Sequence, residues 1–369
     1  MRLTGGSVFL DGAFARTDLI VREGRVAGFD LPDDGPAIDC RDALILPGLV
    51  DIHTHGCAGF DFATADDAGL RAMLRRYASR GVTDVVATLV TMSPADIREA
   101  VRRIGAHAAA PDEARIRGVR LEGPFLSKEK KGAHDESLLL KPDADFVLSL
   151  GDAVTVVDAA PELPGFFELV ERFPGTVSVA HTACDYDTAM RAVAHGADHF
   201  THLLNAMNQP SSRRPGCLGA FADSRAVAEV ICDGIHIHPA MLRLLFSIGA
   251  GRVAVISDSM AAEGLPDGSY ALGALPVTVH AGRATLADGT LAGSICSVAD
   301  AAGRLADFGI PAPQIAAALT SVPANALRPA LPCGRITVGE SADLAVFDAR
   351  FRLKRAMRAG SFLPAVPEA

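Results

Sequence analysis

Two histidines one residue apart, His53 and His55, follow the apolar stretch that begins at Leu44. On a β-strand successive side chains point to opposite faces, so both imidazoles would point the same way. Two imidazoles on one face are half of a site for a divalent ion such as Zn²⁺. A pair of this kind also occurs at strand ends that face water, so the rest of the chain decides between the two interpretations.

Further candidate ligands follow other apolar, β-branched segments, each at its C-terminal end: Glu122, His181, His202, Asp233, His236 and Asp258. Taken singly, each has a structural alternative. Glu122 or Asp258 could serve as a turn residue or helix N-cap, and a lone strand histidine could pack in a core. Taken together, imidazoles and carboxylates that converge from several strand ends are the donor set of a zinc-type ion.

The elements that must position these residues alternate along the chain. The predicted strands are 44–52, 83–89, 116–121, 154–157, 177–180, 198–201, 227–231 and 253–256, and helical spacing marks segments such as 68–79, 94–107 and 186–195. Eight strands with helical crossovers predict an α/β fold, a parallel (β/α)8 TIM barrel with its chemistry at the C-terminal strand ends. The rival is an open doubly wound sheet, but no phosphate-binding glycine fingerprint follows the first strand.

Both ends of the chain differ from this middle, because they contain short strand-like segments separated by Asp-Gly and Glu-Gly turns. We therefore predict a small β-sandwich domain built from residues 1–46 plus 332–369. Residues 47–331 would form the catalytic barrel.

Composition narrows the class of protein. A net charge of -9 over 369 residues argues against a nucleic-acid or membrane-surface partner. It also means that an anionic substrate needs a local positive pocket. No signal peptide or transmembrane segment is evident. The seven scattered cysteines fit a reducing compartment better than a disulfide framework, so a soluble, cytoplasmic protein is expected.

Several segments in order along almost the whole chain carry a family resemblance. They are Pro47–His55, Leu121–Phe125, Lys131–His134, His181-Thr182, Thr201–Met207, Arg213–Gly216, Asp233–His236 and Ser257–Ala261. The chain resembles the amidohydrolase superfamily and, within it, the N-acetylglucosamine-6-phosphate deacetylase family. The most discriminating feature is Glu122, since many relatives carry a modified lysine on the third strand.

The resemblance implies a primary metal held by Glu122, His181 and His202. It also implies a second ion held by His53 and His55, with Glu122 bridging, in those members that have the pair. One or two divalent ions are expected, Zn²⁺ by preference, with Fe²⁺, Mn²⁺ or Co²⁺ as alternatives. Asp258 matches the catalytic acid/base next to the metal.

The resemblance also assigns the substrate contacts, to His134, Asn205, Ala206, Arg213 or Arg214, and His236. His134 would contact the carbonyl or sugar, and one of the two arginines would hold the phosphate. In this family a phosphate ligand can come from the neighbouring subunit, so a homodimer is expected. Five histidines (107, 195, 199, 238 and 280) and Cys184 are expected to be structural or exposed. Asp51 could orient the strand-one histidines.

The expected activity is metal-dependent hydrolysis of N-acetylglucosamine 6-phosphate to glucosamine 6-phosphate and acetate, in amino-sugar catabolism. The sequence has no Gly-X-Ser-X-Gly elbow in a strand-turn-helix context, so nothing points to a serine nucleophile instead. The alternatives are deacetylation of a related amino-sugar phosphate such as N-acetylgalactosamine 6-phosphate, hydrolysis of a cyclic amide or nucleobase, and a non-catalytic scaffold.

Overall fold

The computed structural model describes residues 1–32 and 34–364, so residues 365–369 of the predicted terminal domain lie outside it. The chain begins with seven short strands: β1 (Arg2–Thr4), β2 (Ser7–Leu10), β3 (Ala13–Arg16), β4 (Leu19–Arg22), β5 (Arg25–Phe29), β6 (Ala37–Asp39) and β7 (Leu44–Pro47). Asp11-Gly12 and Glu23-Gly24 form the turns of two hairpins, with positive φ at all four residues.

Ten further strands follow: β8 (Leu49–Thr54), β9 (Gly56–Cys57), β10 (Phe60–Asp61), β11 (Val82–Leu89), β12 (Arg115–Phe125), β13 (Val154–Ala159), β14 (Thr176–Val179), β15 (His199–Phe200), β16 (Val227–Ile231) and β17 (Val253–Ile256). Eight of them pair in parallel in the order β8-β11-β12-β13-β14-β15-β16-β17. The ends of β8 and β17 meet, since the backbone N–H of Asp258 donates to the carbonyl of His53 at 3.0 Å. The predicted TIM barrel is confirmed.

The single strand predicted over 44–52 is wrong, because it is two strands in different sheets. β7 ends at Pro47, which cannot donate a ladder hydrogen bond, and β8 begins at Leu49 in the barrel. Between them, Gly48 lies so close to Thr83 that an added Cβ would be 2.1 Å from the Thr83 hydroxyl oxygen. Only glycine permits this close approach of the two strands.

Ten helices complete the middle of the chain: α1 (Asp67–Ser79), α2 (Pro94–Gly105), α3 (Ala144–Ser149), α4 (Phe166–Arg172), α5 (Tyr186–His195), α6 (Gly216–Asp223), α7 (Pro239–Ile248), α8 (Val298–Asp307), α9 (Ala312–Leu319) and α10 (Ser321–Ala326). The side chains of Asp66, Ser93 and Asp185 cap α1, α2 and α5 by accepting backbone N–H groups of the first turn. The three helical segments predicted from spacing are confirmed, although α2 ends two residues early. None of the helices in the described ranges is long and apolar enough to cross a membrane.

A three-stranded antiparallel sheet, which the sequence reading did not predict, follows the last barrel strand: β18 (Gly268–Leu272), β19 (Leu275–His280) and β20 (Arg283–Thr285). Leu272 and Val277 of this sheet share an apolar cluster with Val90, which directly follows β11, and with Met260, four residues after β17. This sheet therefore covers part of the C-terminal mouth of the barrel.

The chain returns to its start through β21 (Leu344–Phe347), β22 (Leu353–Arg358) and β23 (Ser361–Phe362). One sheet has the order β5-β4-β1-β6 and the other β23-β22-β21-β7-β2-β3. Leu3 and Leu19 of the first sheet share a core with Val8, Ile45 and Leu344 of the second. The predicted β-sandwich from both termini is thus confirmed, whereas the domain limits 1–46, 332–369 and 47–331 stay a prediction.

Candidate metal centre and active site

The first group of candidate ligands surrounds one oxygen of a buried glutamate. Glu122 Oε1 lies 3.1 Å from His181 Nε2 and 3.0 Å from His202 Nε2. The two histidine nitrogens are 3.1 Å apart, and all three side chains are buried. The three residues predicted as the primary metal grip are therefore brought together.

The second group lies around the other oxygen of the same carboxylate. Glu122 Oε2 is 2.9 Å from His55 Nε2 and 3.4 Å from His53 Nε2. Asp258 Oδ1 faces the same two nitrogens, at 3.2 Å from His55 and 3.4 Å from His53. Glu122 thus lies between two groups of candidate ligand atoms.

The barrel positions these side chains at the carboxyl ends of its strands. His53 is in β8 and Glu122 in β12, whereas His181, His202 and Asp258 each stand two residues past the end of a strand. These last three have φ values of +42°, +30° and +47°, which non-glycine residues rarely adopt. Such backbone strain costs on the order of 1–3 kcal/mol per residue and concentrates at functional sites.

Hydrogen bonds outside the cluster fix how two of these strand ends are held. His181 Nδ1 lies 2.8 Å from the carbonyl of Lys130, to which it donates its proton, so Nε2 is left free to ligate a metal. Asp51 Oδ1 accepts the backbone N–H groups of His53 and Ser257, at 3.2 and 3.3 Å. Asp51 therefore orients the backbone of His53, as the sequence suggested it could, and does not join the cluster.

The charges of the site are tightly coupled. Burial and Arg120 oppose protonation of His53, but the carboxylates of Glu122 and Asp258 outweigh them and raise the pKa of His53 to about 9. Against the same opposing burial, Asp258 and Glu122 raise the pKa of His55 to about 10. Although burial alone would raise it, the pKa of Glu122 lies well below its ordinary value because of the surrounding imidazoles. The pocket is therefore built to hold positive charge between its carboxylates.

The donor set fits a divalent metal. Four imidazole nitrogens and two carboxylates are the ligands that zinc and similar first-row ions take. Among the described residues, two groups have ligand atoms within 4.8 Å of one another: His53, His55, Glu122 and Asp258, and Glu122, His181 and His202. His53 Nε2 is buried, faces the carboxylates and has no hydrogen-bond partner, as expected of an atom kept for a metal.

His134 lies beside the two groups of candidate metal ligands, and its hydrogen bonds define which ring nitrogen carries the proton. Its Nδ1 accepts the backbone N–H of Thr91 at 3.2 Å and lies 2.8 Å from the Thr91 hydroxyl. A neutral imidazole that accepts at Nδ1 carries its proton on Nε2, which is 3.6 Å from Glu122. Burial, followed by the neighbouring His181, lowers the pKa of His134 to about 3. His134 is therefore a neutral donor aimed into the site.

A cavity of about 280 Å³ opens over the two groups of candidate metal ligands. Asn205, Ala206 and His236 line it, together with Leu272 from the antiparallel sheet. His236 donates from Nδ1 to Asp233 at 2.7 Å, which turns the imidazole into the cavity wall. With His134, which also lines it, four of the predicted substrate contacts thus share one cavity with the candidate metal ligands.

The two arginines predicted as phosphate ligands are not brought to this cavity. Arg213 and Arg214 are exposed and line a separate cavity of about 580 Å³, with Tyr186 and Asn208. They lie in a tight turn in which the backbones of Ser211 and Arg214 pair with each other. Their role stays a prediction.

The histidines set aside as structural lie outside both ligand groups. His238 caps α7, His195 donates to the carbonyl of Arg191, and His280 is exposed beside Asp267. His107 has a buried side chain beside Glu113, and His199 in β15 is fully buried. Cys184 is buried 3.7 Å from Cys217, sulfur to sulfur, and all seven cysteines are free.

The sequence patterns did not identify three charged residues that lie beneath the site. Arg120, Asp158 and Glu229 are fully buried inside the barrel and form a salt-bridge network. Asp158 and Glu229 are single charges in strands without other charged residues, whereas Arg120 shares its strand with two other arginines and Glu122. Thr91 was also missed, because its contact with His134 spans 43 residues.

An (β/α)8 barrel with two such ligand groups at its mouth defines a metal-dependent hydrolase of the amidohydrolase class. The Amidohydrolase family profile matches residues 44–364. The N-acetylglucosamine-6-phosphate deacetylase of Bacillus subtilis is 35% identical over 83% of this chain and 81% of its own, and that of Bos taurus is 32% identical over 100% and 97%. A Mycobacterium smegmatis N-acetyl-D-glucosamine-6-phosphate deacetylase variant, solved with N-acetyl-D-glucosamine 6-phosphate, superimposes with a TM-score of 0.91 at 32% identity, covering 98% of each chain. The chain belongs to the amidohydrolase family and, within it, to the N-acetylglucosamine-6-phosphate deacetylases.

Proposed function

We propose that the barrel mouth hydrolyses the N-acetyl group of N-acetylglucosamine 6-phosphate, giving glucosamine 6-phosphate and acetate, in amino-sugar catabolism. The observation that carries this proposal is Glu122 between two pairs of buried imidazoles, with Asp258 3.2 Å from His55. The relatives reported above are named for the glucosamine substrate, which favours it over N-acetylgalactosamine 6-phosphate.

Two divalent ions would be held here, one by Glu122, His181 and His202 and the other by the His53–His55 pair with Glu122 and Asp258. Nitrogen and oxygen donors together favour Zn²⁺, with Fe²⁺, Mn²⁺ or Co²⁺ as alternatives. A divalent ion supplies Lewis-acid chemistry, since it polarises a carbonyl and makes water a competent nucleophile near neutral pH.

Asp258 would move the proton. Its carboxylate has a lowered pKa, because His53 and His55 outweigh its burial, so it is ionised and able to accept. As the water oxygen bonds to the acyl carbon, Asp258 takes the water proton and then delivers it to the amide nitrogen. The C–N bond breaks once that nitrogen is protonated, because an unprotonated amine is a very poor leaving group.

His134 would stabilise the oxyanion that develops on the acyl oxygen. Its Nε2–H is available because Thr91 occupies Nδ1, and its low pKa keeps the ring neutral. A preorganised donor of this kind loses no free energy to reorganisation during the reaction.

The substrate phosphate would need positive charge that this cavity does not supply. Neither Lys nor Arg lines it, and His236 is the one lining residue that was predicted to contact the phosphate or sugar together with an arginine. Arg213 and Arg214 are exposed on a neighbouring face of the same chain. This supports a homodimer in which one of these arginines reaches the partner's cavity.

Mixing two inactive variants tests the shared site. Asp258→Asn lacks the base, and an Arg213→Ala/Arg214→Ala variant lacks the phosphate ligand. After the subunits exchange, activity should return to about a quarter of wild type, because half of the dimers are mixed and each holds one complete site. If no activity returns, although the mixed dimers form, each cavity uses its own arginine.

Acetate release measured with defined metals tests the reaction itself. The purified protein should release acetate from N-acetylglucosamine 6-phosphate after loading with Zn²⁺, Fe²⁺, Mn²⁺ or Co²⁺, and far less from free N-acetylglucosamine. Asp258→Asn should lower kcat by about 10²–10⁴-fold with the primary ion still bound. No acetate release with any of these metals would refute the proposal.

The seven free cysteines support a reducing, cytoplasmic location.

A further inference from the structure

Beneath the two groups of candidate metal ligands, the barrel interior contains a layer of buried, charged side chains. Arg120 donates from Nε and Nη2 to Asp158, both at 2.8 Å, and from Nη1 to Glu229 Oε1 at 2.8 Å. All three side chains are fully buried. Branched apolar residues ordinarily fill these layers, and a buried ion network gives little or no net stability over them. The network therefore calls for a functional explanation.

The second oxygen of Glu229 provides one. Glu229 Oε2 has no hydrogen-bond partner, nor has His53 Nδ1, and the two atoms face each other 3.6 Å apart. Both side chains are completely buried, so water does not satisfy them from outside. A carboxylate oxygen only accepts, so a proton on His53 Nδ1 together with an approach of about 0.5 Å would turn this contact into a hydrogen bond.

We propose that Glu229 is a positioning residue that holds His53 as the Nδ1–H tautomer, so that Nε2 is presented to the second metal ion. This inference rests on the proposed function, because it assumes an ion between His53, His55 and Asp258. Outer carboxylates that fix a histidine tautomer typically contribute 10–100-fold to metal affinity. Glu229 would thus determine whether the second ion is retained.

Arg120 aims the glutamate. By engaging Oε1, it leaves only Oε2 to face His53. A second hydrogen bond from Arg120 Nη1 reaches the carbonyl of Ile52 at 3.2 Å, next to His53 in the chain. Arg120 therefore holds both the carboxylate and the strand that bears its partner.

Glu229→Gln is a sharp test because the replacement keeps the shape and reverses the hydrogen bond. Arg120 has no acceptor, so the glutamine oxygen must turn towards it. The amide NH₂ then faces His53 Nδ1 and donates to it, which moves the histidine proton to Nε2. That tautomer offers no lone pair to the ion.

Asp158→Asn is the matched control. It removes one carboxylate from the same guanidinium and is equally buried, but its contacts are with Arg120 and Thr201 and not with His53. Each variant removes one carboxylate charge from the network, and only Glu229→Gln alters the histidine contact. Thermal melting of the two variants shows whether they fold equally well.

Metal content is measured after dialysis of each protein against buffered Zn²⁺. Wild type and Asp158→Asn should bind about two ions, and Glu229→Gln about one, its second ion 10–100-fold weaker. Equal second-ion affinity in the two variants would overturn the role of Glu229 alone. A wild type with one ion would overturn the two-ion site as well, whereas absence of acetate release from a protein with two ions would overturn the reaction only.

A second measurement needs no change at Glu229. In the zinc-loaded wild type, ¹⁵N-histidine labelling should show a proton on Nδ1 of His53, assigned by its loss in His53→Asn. A His53 proton on Nε2 would refute the proposal, whether or not the Glu229 variant folds.

Discussion

Replacing His134 tests whether this side chain acts as a fixed donor or as a titrating group. The backbone N–H of Thr91 occupies Nδ1 at 3.2 Å, and burial holds the pKa of His134 to about 3. The ring is therefore neutral, with its proton on Nε2, at every pH above about 3. Its contribution to catalysis should not change between pH 5 and 9.

The expected magnitude follows from the loss of one oxyanion donor, about 2.7–4 kcal/mol or 10²–10³ in kcat. His134→Ala removes the donor and should show this full loss. His134→Gln retains an N–H close to the position of Nε2, so its loss should be smaller, about tenfold or 1.4 kcal/mol. Thr91→Val removes the hydroxyl and keeps the backbone N–H, so its effect should be smaller still.

The assay is acetate release at saturating substrate from pH 5 to 9, with metal content measured in parallel. Each variant should have a lower kcat with an unchanged pH profile. If an acidic limb present in wild type vanished in His134→Gln, His134 would titrate in this range, and the argument from burial would be wrong. A loss below threefold in His134→Ala would exclude the donor role.

Three further outcomes are expected. The double variant His53→Asn/His55→Asn should hold about one metal ion instead of two and retain some activity, as measured by elemental analysis and acetate release; loss of all metal would make this pair the primary site. Arg120→Met leaves two buried carboxylates without their cation and should lower the free energy of urea unfolding by about 3–5 kcal/mol; adding Asp158→Asn and Glu229→Gln should restore most of it, and no recovery would show that lost packing dominates. Asp84 is buried, but Arg115 and Arg117 lower its pKa below 3.8, so its contribution is complete above that value and is lost as the pH falls through the lower folded pKa. Asp84→Asn should therefore cost about 1.5–3 kcal/mol at pH 7 and less below about pH 4, and a difference that does not vary with pH would contradict this.

The barrel and the metal ligands were predictable because both depend on local patterns. Short runs rich in β-branched residues mark the buried strands, and a histidine or carboxylate at the end of such a run is conspicuous. Glu122 and Asp258 could be assigned to one site because parallel strands bring their carboxyl ends together. The family resemblance added their roles.

The supporting contacts were not predictable, because they depend on register and side-chain direction across distant strands. Arg120 meets Asp158 and Glu229 over 38 and 109 residues. The break between β7 and β8 within residues 44–52 also could not be predicted from hydrophobicity alone, because the residues on both sides of Gly48 are apolar and buried. Arg213 shows the converse limit, because a motif can match while its side chain lies outside the chain's own cavity.

The pairing of β7 with β21 has a consequence for synthesis of the chain. Its register joins Pro47 to Leu344, and β7 continues through Gly48 into β8, which bears His53. A ribosome adding about 5–20 residues per second needs roughly 15–60 s to make the intervening segment. During that interval one edge of β7 lacks its final neighbour, so the strand that leads to the metal centre is among the last to be secured. Premature termination before Leu344 would leave that edge open to pairing with other chains.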